Sequence, residues 1–109
     1  MSKPGLVAGQ IARIVRRISG RFQPDRIVLF GSQARGDSGP GSDVDLLVIM
    51  PVRGSIRNKR IELQISVHDI RVPKDILVVR PEDVAAQKDI PGTIVHFALR
   101  EGRTLYARA

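Results

Sequence analysis

Along residues 6–19, Val7, Ile11, Ile14, Val15 and Ile18 recur at helical spacing while Gln10, Arg13, Arg16 and Arg17 fall outside the stripe. This is the pattern of a helix with one face on a core, and Gly20 is expected to close it. A turn at Pro24-Asp25 leads into residues 26–30, whose unbroken run Ile27-Val28-Leu29-Phe30 reads as a strand buried on both faces. Residues 44–50 have the same character and end at Pro51, and residues 73–79 form a third apolar strand with Asp75 near its start. Residues 53–70 fit two periods. Ile61, Leu63, Ile65 and Val67 alternate as on a strand, whereas Ile56, Leu63, Val67 and Ile70 share one helical face. Helix is preferred, because the stretch is rich in Arg, Lys, Glu and Gln and the sheet needs a covering layer. Pro81-Glu82-Asp83 opens a short helix or turn through Ala85. Residues 90–100 form a last helix with Ile90, Ile94, Phe97 and Ala98 inward, Gly102 following its C-terminus. Thr104-Leu105-Tyr106 adds an extended tail.

The elements sum to an α/β (α+β) domain, a small mixed β-sheet of about three to four strands with helices packed on it. At 109 residues the chain, 1–109, is read as a single domain, with one sheet and no room for a second substrate-binding domain. Any ligand must then be small or arrive on a partner with its own surface. No internal repeat or low-complexity segment interrupts the pattern.

Charge narrows the partners without choosing one. Eighteen Lys and Arg against eleven Asp and Glu give +7, which favours nucleotides, nucleic acid or acidic protein faces. Aromatics are few and Trp is absent, leaving little for base-stacking platforms. The absence of Cys excludes disulfides and thiolate metal sites, and disfavours zinc. No apolar run nears the roughly 20 residues of a membrane span, and Met1-Ser2-Lys3-Pro4-Gly5 lacks a secretory apolar core. A cytoplasmic protein is the default expectation.

Candidate chemistry concentrates where two strands meet short loops. Gly31-Ser32 ends the first strand, and Ser42-Asp43-Val44-Asp45 leads into the second. Residues two apart on a strand point to one face, with Cα atoms roughly 6.6 Å apart, so Asp43 and Asp45 project together and repel unless a cation lies between them. Oxygen-only ligands suit Mg²⁺, which completes its shell with water and substrate phosphates. A glycine at 31 lets backbone N–H groups approach a phosphate, and a short helix over residues 32–35 would aim its positive end at the same place. Residues 36–41 form a polar connecting loop.

Phe30-Gly31-Ser32-Gln33-Ala34-Arg35-Gly36 followed by Ser42-Asp43-Val44-Asp45-Leu46-Leu47-Val48 resembles the signature of the DNA polymerase β-like nucleotidyltransferases, and the chain looks most like their short branch, the minimal nucleotidyltransferases. The resemblance implies the nucleotidyltransferase fold, with Gly31 and Ser32 gripping the β- and γ-phosphates of ATP. It implies two Mg²⁺ ions, typically about 4 Å apart, with Asp43 and Asp45 bridging both and Asp75 on one of them, taking the proton of the attacking hydroxyl. The reaction implied is transfer of a nucleoside monophosphate, AMP from ATP, with release of pyrophosphate. Minimal nucleotidyltransferases are similar to antitoxins paired with HEPN-domain ribonuclease toxins, so the implied acceptor is a tyrosine of a HEPN-domain toxin partner. The alternatives are a non-catalytic antitoxin acting by contact and a small enzyme that modifies an antibiotic.

Each residue also has a plainer reading. Gly31 suits a turn, and Ser32 a helix cap. Asp43 and Asp45 could be exposed edge acids, although an unpaired carboxylate inside an apolar strand is costly, which favours the metal. Asp75 could cap a turn after Pro73, and Asp69, at the end of the presumed helix, is its rival for the third acid; strand context favours Asp75. Arg35 is placed to touch the triphosphate or to face solvent. Arg53, Arg57, Lys59 and Arg60 read as one polar helix face, or as a docking surface for an acidic partner or RNA. His68, His96 and Tyr106 lack partners at catalytic spacing and read as structural.

Overall fold

The computed structural model describes residues 4–36 and 43–108. Its elements run α1 (Pro4–Phe22), β1 (Arg26–Phe30), α2 (Ser32–Arg35), β2 (Val44–Ile49), α3 (Ile56–Ser66), β3 (Lys74–Val79), α4 (Pro81–Gln87), α5 (Ile94–Glu101) and β4 (Arg103–Ala107). The four strands form one open sheet in the order β3-β2-β1-β4. β1 is antiparallel to both its neighbours, while β2 and β3 are parallel. A parallel pair needs a crossover, and α3 supplies it. The expected tail, Thr104-Leu105-Tyr106, is therefore a strand, hydrogen-bonded to β1.

Alternation along the strands separates two cores. One face carries Ile27, Leu29, Val44, Leu46, Val48, Ile76 and Val78, which pack on Ile14 and Ile18 of α1, Leu63 of α3, and Val67 and Ile70 beyond it. The other carries Val28, Phe30, Leu47 and Ile49 against Ala98 of α5, with Val84 of α4 at the margin. Of the two periods open to residues 53–70, the helical set Leu63, Val67 and Ile70 is fully buried, whereas Ile61 and Ile65 of the alternating set are exposed. Each such buried aliphatic side chain contributes about 1.5–3 kcal/mol, so the helical assignment is the one the core enforces. The helix itself is shorter than expected, starting where the Ser55 side chain accepts a hydrogen bond from the Asn58 N–H (3.0 Å).

Three local expectations fail for identifiable reasons. Gly20 does not close α1; the helix continues to Phe22, and Gln23, at φ 48°, turns the chain out of it. Phe22 packs on the core, which offsets the cost, about 1 kcal/mol, of a glycine inside a helix. The last helix begins at Ile94 rather than Ile90, because Pro91-Gly92 breaks the chain and Thr93 caps the new start, accepting from the His96 N–H (3.1 Å). That shift changes the buried face. Val95 and Ala98 point inward, whereas Ile90, Ile94 and Phe97, expected inward, are 51%, 44% and 38% exposed. Gly102 follows the C-terminus of α5 as expected, in an extended conformation, φ −90°.

Candidate active site

Strand register assembles the site. Phe30 lies opposite Asp45 across β1 and β2, and Asp45 lies level with Asp75 across β2 and β3. By parity with Val28, Leu47 and Ile49, these three side chains emerge on the α4/α5 face of the sheet. Asp75, Asp45 and Phe30 thus form a line across three adjacent strands, neighbours at about 4.5–5.5 Å between Cβ atoms. Asp43, exposed, stands two residues before Asp45. The Asp45 carboxyl is held above the ordinary carboxylate range, first by burial, then by the charges of Asp75 and Asp43. Of the three acids, Asp45 is the one whose ionisation the other two oppose.

Asp69, the rival third acid, is elsewhere. It follows α3, pairs with Arg17 of α1, and the hydrogen bond from Arg17 holds its carboxyl below the usual range. Asp75 instead has a partner that sequence reasoning missed. Arg60 leaves the basic face of α3 and forks onto β3, its Nε donating to the Ile76 carbonyl (2.8 Å) and its terminal nitrogen to Asp75 Oδ1 (2.6 Å). Fifteen residues of chain separate the pair, and no local periodicity reports it. The other members of the basic cluster stay on the surface, Lys59 pairing with Glu62 (2.9 Å).

Gly31 takes φ 76°, ψ −157°, a region open essentially to glycine alone. The turn is held by the amides of Ala34 and Arg35, which both donate to the Gly31 carbonyl (3.1 Å). Ser32 is the first residue of α2, and the cap position belongs to Gly31, which makes no side-chain capping bond; the capping role considered for Ser32 is not what the fold uses. α2 is one turn long and ends at Gly36, in the left-handed conformation. Arg35 is exposed at its last position. Ser42 and the loop from residue 37 lie outside the described residues. His68 and His96 each sit with Nδ1 2.8 Å from a backbone carbonyl, of Ile65 and Lys88, and Tyr106 packs on the α1/α3 core, as their structural readings required.

The donor set around Asp45 is carboxylate oxygen, and burial first, then the neighbouring charges of Asp75 and Asp43, make its bare negative charge unfavourable, which suits a hard divalent cation. Among the described residues no group of three or more acidic, histidine or cysteine side chains is arranged to hold a metal by itself. A cation completed by water and substrate phosphates needs only one or two carboxylates, so the residues present fit such an ion.

The fold is a small open α/β sheet with a glycine-serine turn set against a line of acids. The chain matches the nucleotidyltransferase domain family over residues 9–101 and belongs to it. No curated protein shows significant similarity to it. Among solved structures it is similar to a provisionally assigned nucleotidyltransferase from Sulfolobus solfataricus, with TM-score 0.60 and 20% identity over 99% of this chain and 91% of the other. It is also similar to a chain of a toxin-antitoxin assembly solved with AMP-PNP, with TM-score 0.59 and 20% identity over 91% of this chain and 72% of that one. Among the described residues no helix is long and apolar enough to cross a membrane.

Proposed function

We propose that this protein transfers AMP from ATP to a hydroxyl on a partner protein, a tyrosine of a HEPN-domain toxin, with release of pyrophosphate. The observation that carries the reading is the register of Asp45 with Asp75, beside Gly31. It sets the Gly31 turn and two carboxylates beside one another at one edge of the sheet. The toxin-antitoxin neighbour with its ATP analogue supports a protein partner and an adenine nucleotide.

In this reading the backbone of Gly31 and the hydroxyl of Ser32 hold the β- and γ-phosphates, with Arg35 at the rim. Asp43 and Asp45 would hold Mg²⁺, with Asp75 completing the set, and the ion would supply charge neutralisation at the α-phosphate and at the leaving oxygen. Asp75 takes the acceptor's proton as its oxygen bonds to the α-phosphorus. The bond from that phosphorus to the bridging oxygen breaks, and pyrophosphate leaves with the electron pair. Arg60 keeps the Asp75 carboxylate oriented while this happens. The test is incubation with Mg²⁺ and α-labelled ATP, with and without the product of the adjacent gene. Label on the partner is expected from the wild type and none from Asp45→Asn; tight binding of the partner with no label from the wild type would establish a contact-only antitoxin instead.

A further inference from the structure

The two edge strands of the sheet are not alike. On β3, Arg60 already takes the Ile76 carbonyl (2.8 Å). β4, at the other end of the order β3-β2-β1-β4, pairs only with β1 among the described residues, and no described side chain bonds to its backbone. Such an edge offers a row of N–H and C=O groups to an incoming strand. Alongside it runs a cavity of about 350 Å³, lined by Ala8 and Ala12 of α1 on one side and by Leu29 of β1 and Leu105 of β4 on the other, with Arg16 and Arg103 completing it. Ala8 and Ala12, one helical turn apart, are exposed, so α1 leaves this margin of the sheet uncovered. Both arginines are exposed, and neither side chain makes an ion pair or hydrogen bond with another described residue. Leu29 and Leu105 belong to the α1/α3 face, opposite to the face that carries Asp45 and Asp75.

We propose that the groove between α1 and the free edge of β4 receives an extended segment of another protein, which joins the sheet as a fifth strand and carries apolar and acidic side chains two residues apart on one face. Backbone geometry supplies the first argument. A strand laid against β4 turns every second side chain toward the α1 face, where Ala8, Ala12 and Leu105 leave an apolar slot. A side chain opposite Leu105 is then apolar, and one opposite Arg103, two residues along, meets a guanidinium. Charge supplies the second argument and chooses the occupant. Two guanidiniums without partners among the described residues favour carboxylates on the incoming strand. A second copy of this chain is disfavoured: Arg103 and Arg108 bracket β4, so pairing in either direction sets arginine beside arginine, in chains that each carry +7. Nucleic acid would use the two cations and leave the hydrocarbon between them idle, since its affinity comes from phosphate contacts. Because the groove lies on the opposite face from the acids, a partner held there leaves the candidate active site open, and the proposal does not depend on the transfer reading.

The experiment titrates the full chain with peptides of about eight residues, within the usual length of a strand: a Val-Thr-Glu-Thr repeat, a Val-Thr-Lys-Thr repeat, and the first with alternate amides N-methylated. Binding is read by NMR together with the hydrogen exchange of the β4 amides. The Glu peptide is expected to bind, to shift the methyl signals of Ala8 and Ala12, and to slow exchange along β4. The Lys peptide and the N-methylated peptide should each bind at least about tenfold more weakly. Arg16→Glu and Arg103→Glu, both at exposed positions, should each weaken the Glu peptide about tenfold with the melting temperature unchanged. No binding of the Glu peptide, or equal binding of the Glu and Lys peptides, overturns the proposal. Binding that leaves β4 exchange unchanged, or that survives N-methylation, overturns the added strand. Slow β4 exchange and a dimeric mass without any peptide would assign the edge to a second copy and overturn it too. An oligo(U) strand that displaces the peptide from the same residues would assign the arginines to nucleic acid, with the same consequence.

Discussion

The carboxylate of Asp45 occupies the space that a side chain at Gly31 would need: a Cβ built on Gly31 falls 2.5 Å from Asp45 Oδ2. The glycine is therefore fixed twice, by its positive φ and by the acid pressed against it. Gly31→Ala is expected to destabilise the fold by about 1–3 kcal/mol from backbone strain alone, with the clash added, and to displace Asp45. A double-mutant cycle with Asp45→Ala separates the two terms. Denaturant unfolding should show Gly31→Ala costing less in the Asp45→Ala background; equal costs in both backgrounds would remove the carboxylate contact from the account.

Asp45 also sets a pH dependence. Its native pKa lies above the ordinary value of 3.8, so the folded state binds that proton more tightly than the unfolded chain, and ionisation lowers stability. The penalty is absent at pH well below 3.8 and grows as pH rises through the raised native value. Asp45→Asn should accordingly melt a few degrees higher than wild type at pH 7, the difference shrinking toward pH 4. Added Mg²⁺ should raise the melting temperature of the wild type and not that of the variant, since only a state that binds the ion gains from it. Melting curves that stay parallel across pH and metal contradict the reading of this carboxyl as crowded and cation-seeking.

The pair of Arg60 and Asp75 is half exposed, at 39% and 44% of their side chains, and an ion pair in such a setting contributes only about 0–1 kcal/mol to stability. Its expected effect is on the reaction. Arg60→Gln should leave the unfolding free energy within about 1 kcal/mol of wild type and leave ATP affinity intact, while turnover falls about tenfold, with partial recovery in Arg60→Lys. Loss of nucleotide affinity in step with turnover would mean that Arg60 touches ATP rather than orienting Asp75.

Much of this architecture was legible because its signals are local. The strand from Arg26 to Phe30 is bounded by Pro24 on one side and Gly31 on the other, and its apolar run admits no second reading. The helix over 56–66 was decided by Val67 and Ile70, which only a helical path brings under the sheet with Leu63. Failures arose where a signal was tertiary or was overridden. Ile90 continues the period of α5 on paper, but Pro91-Gly92 resets the chain before Thr93 and turns the apolar stripe outward. The level placement of Asp45 and Asp75 depends on a parallel pairing created by α3, and the reach of Arg60 to Asp75 on which face of that helix meets the β3 edge. Neither is written in any spacing along the chain.

Gly102 separates space from conformation in a way that Gly31 cannot. Its φ of −90° is open to any residue, so strain plays no part. A Cβ there would nonetheless fall 2.7 Å from the Leu29 carbonyl oxygen and 2.7 Å from Val28 Cγ1, and closer still to the carbonyl of Ala98. Two of these are backbone atoms and the third belongs to a buried β1 side chain, so nothing flexible can give way, and α5 would have to lift from β1. Gly102→Ala should cost about 1–3 kcal/mol, the usual penalty for overpacking, with roughly 4–8 °C lost per kcal/mol in a domain of about this size. A Gly102→Ala protein as stable as the wild type would show that α5 is not held by this contact.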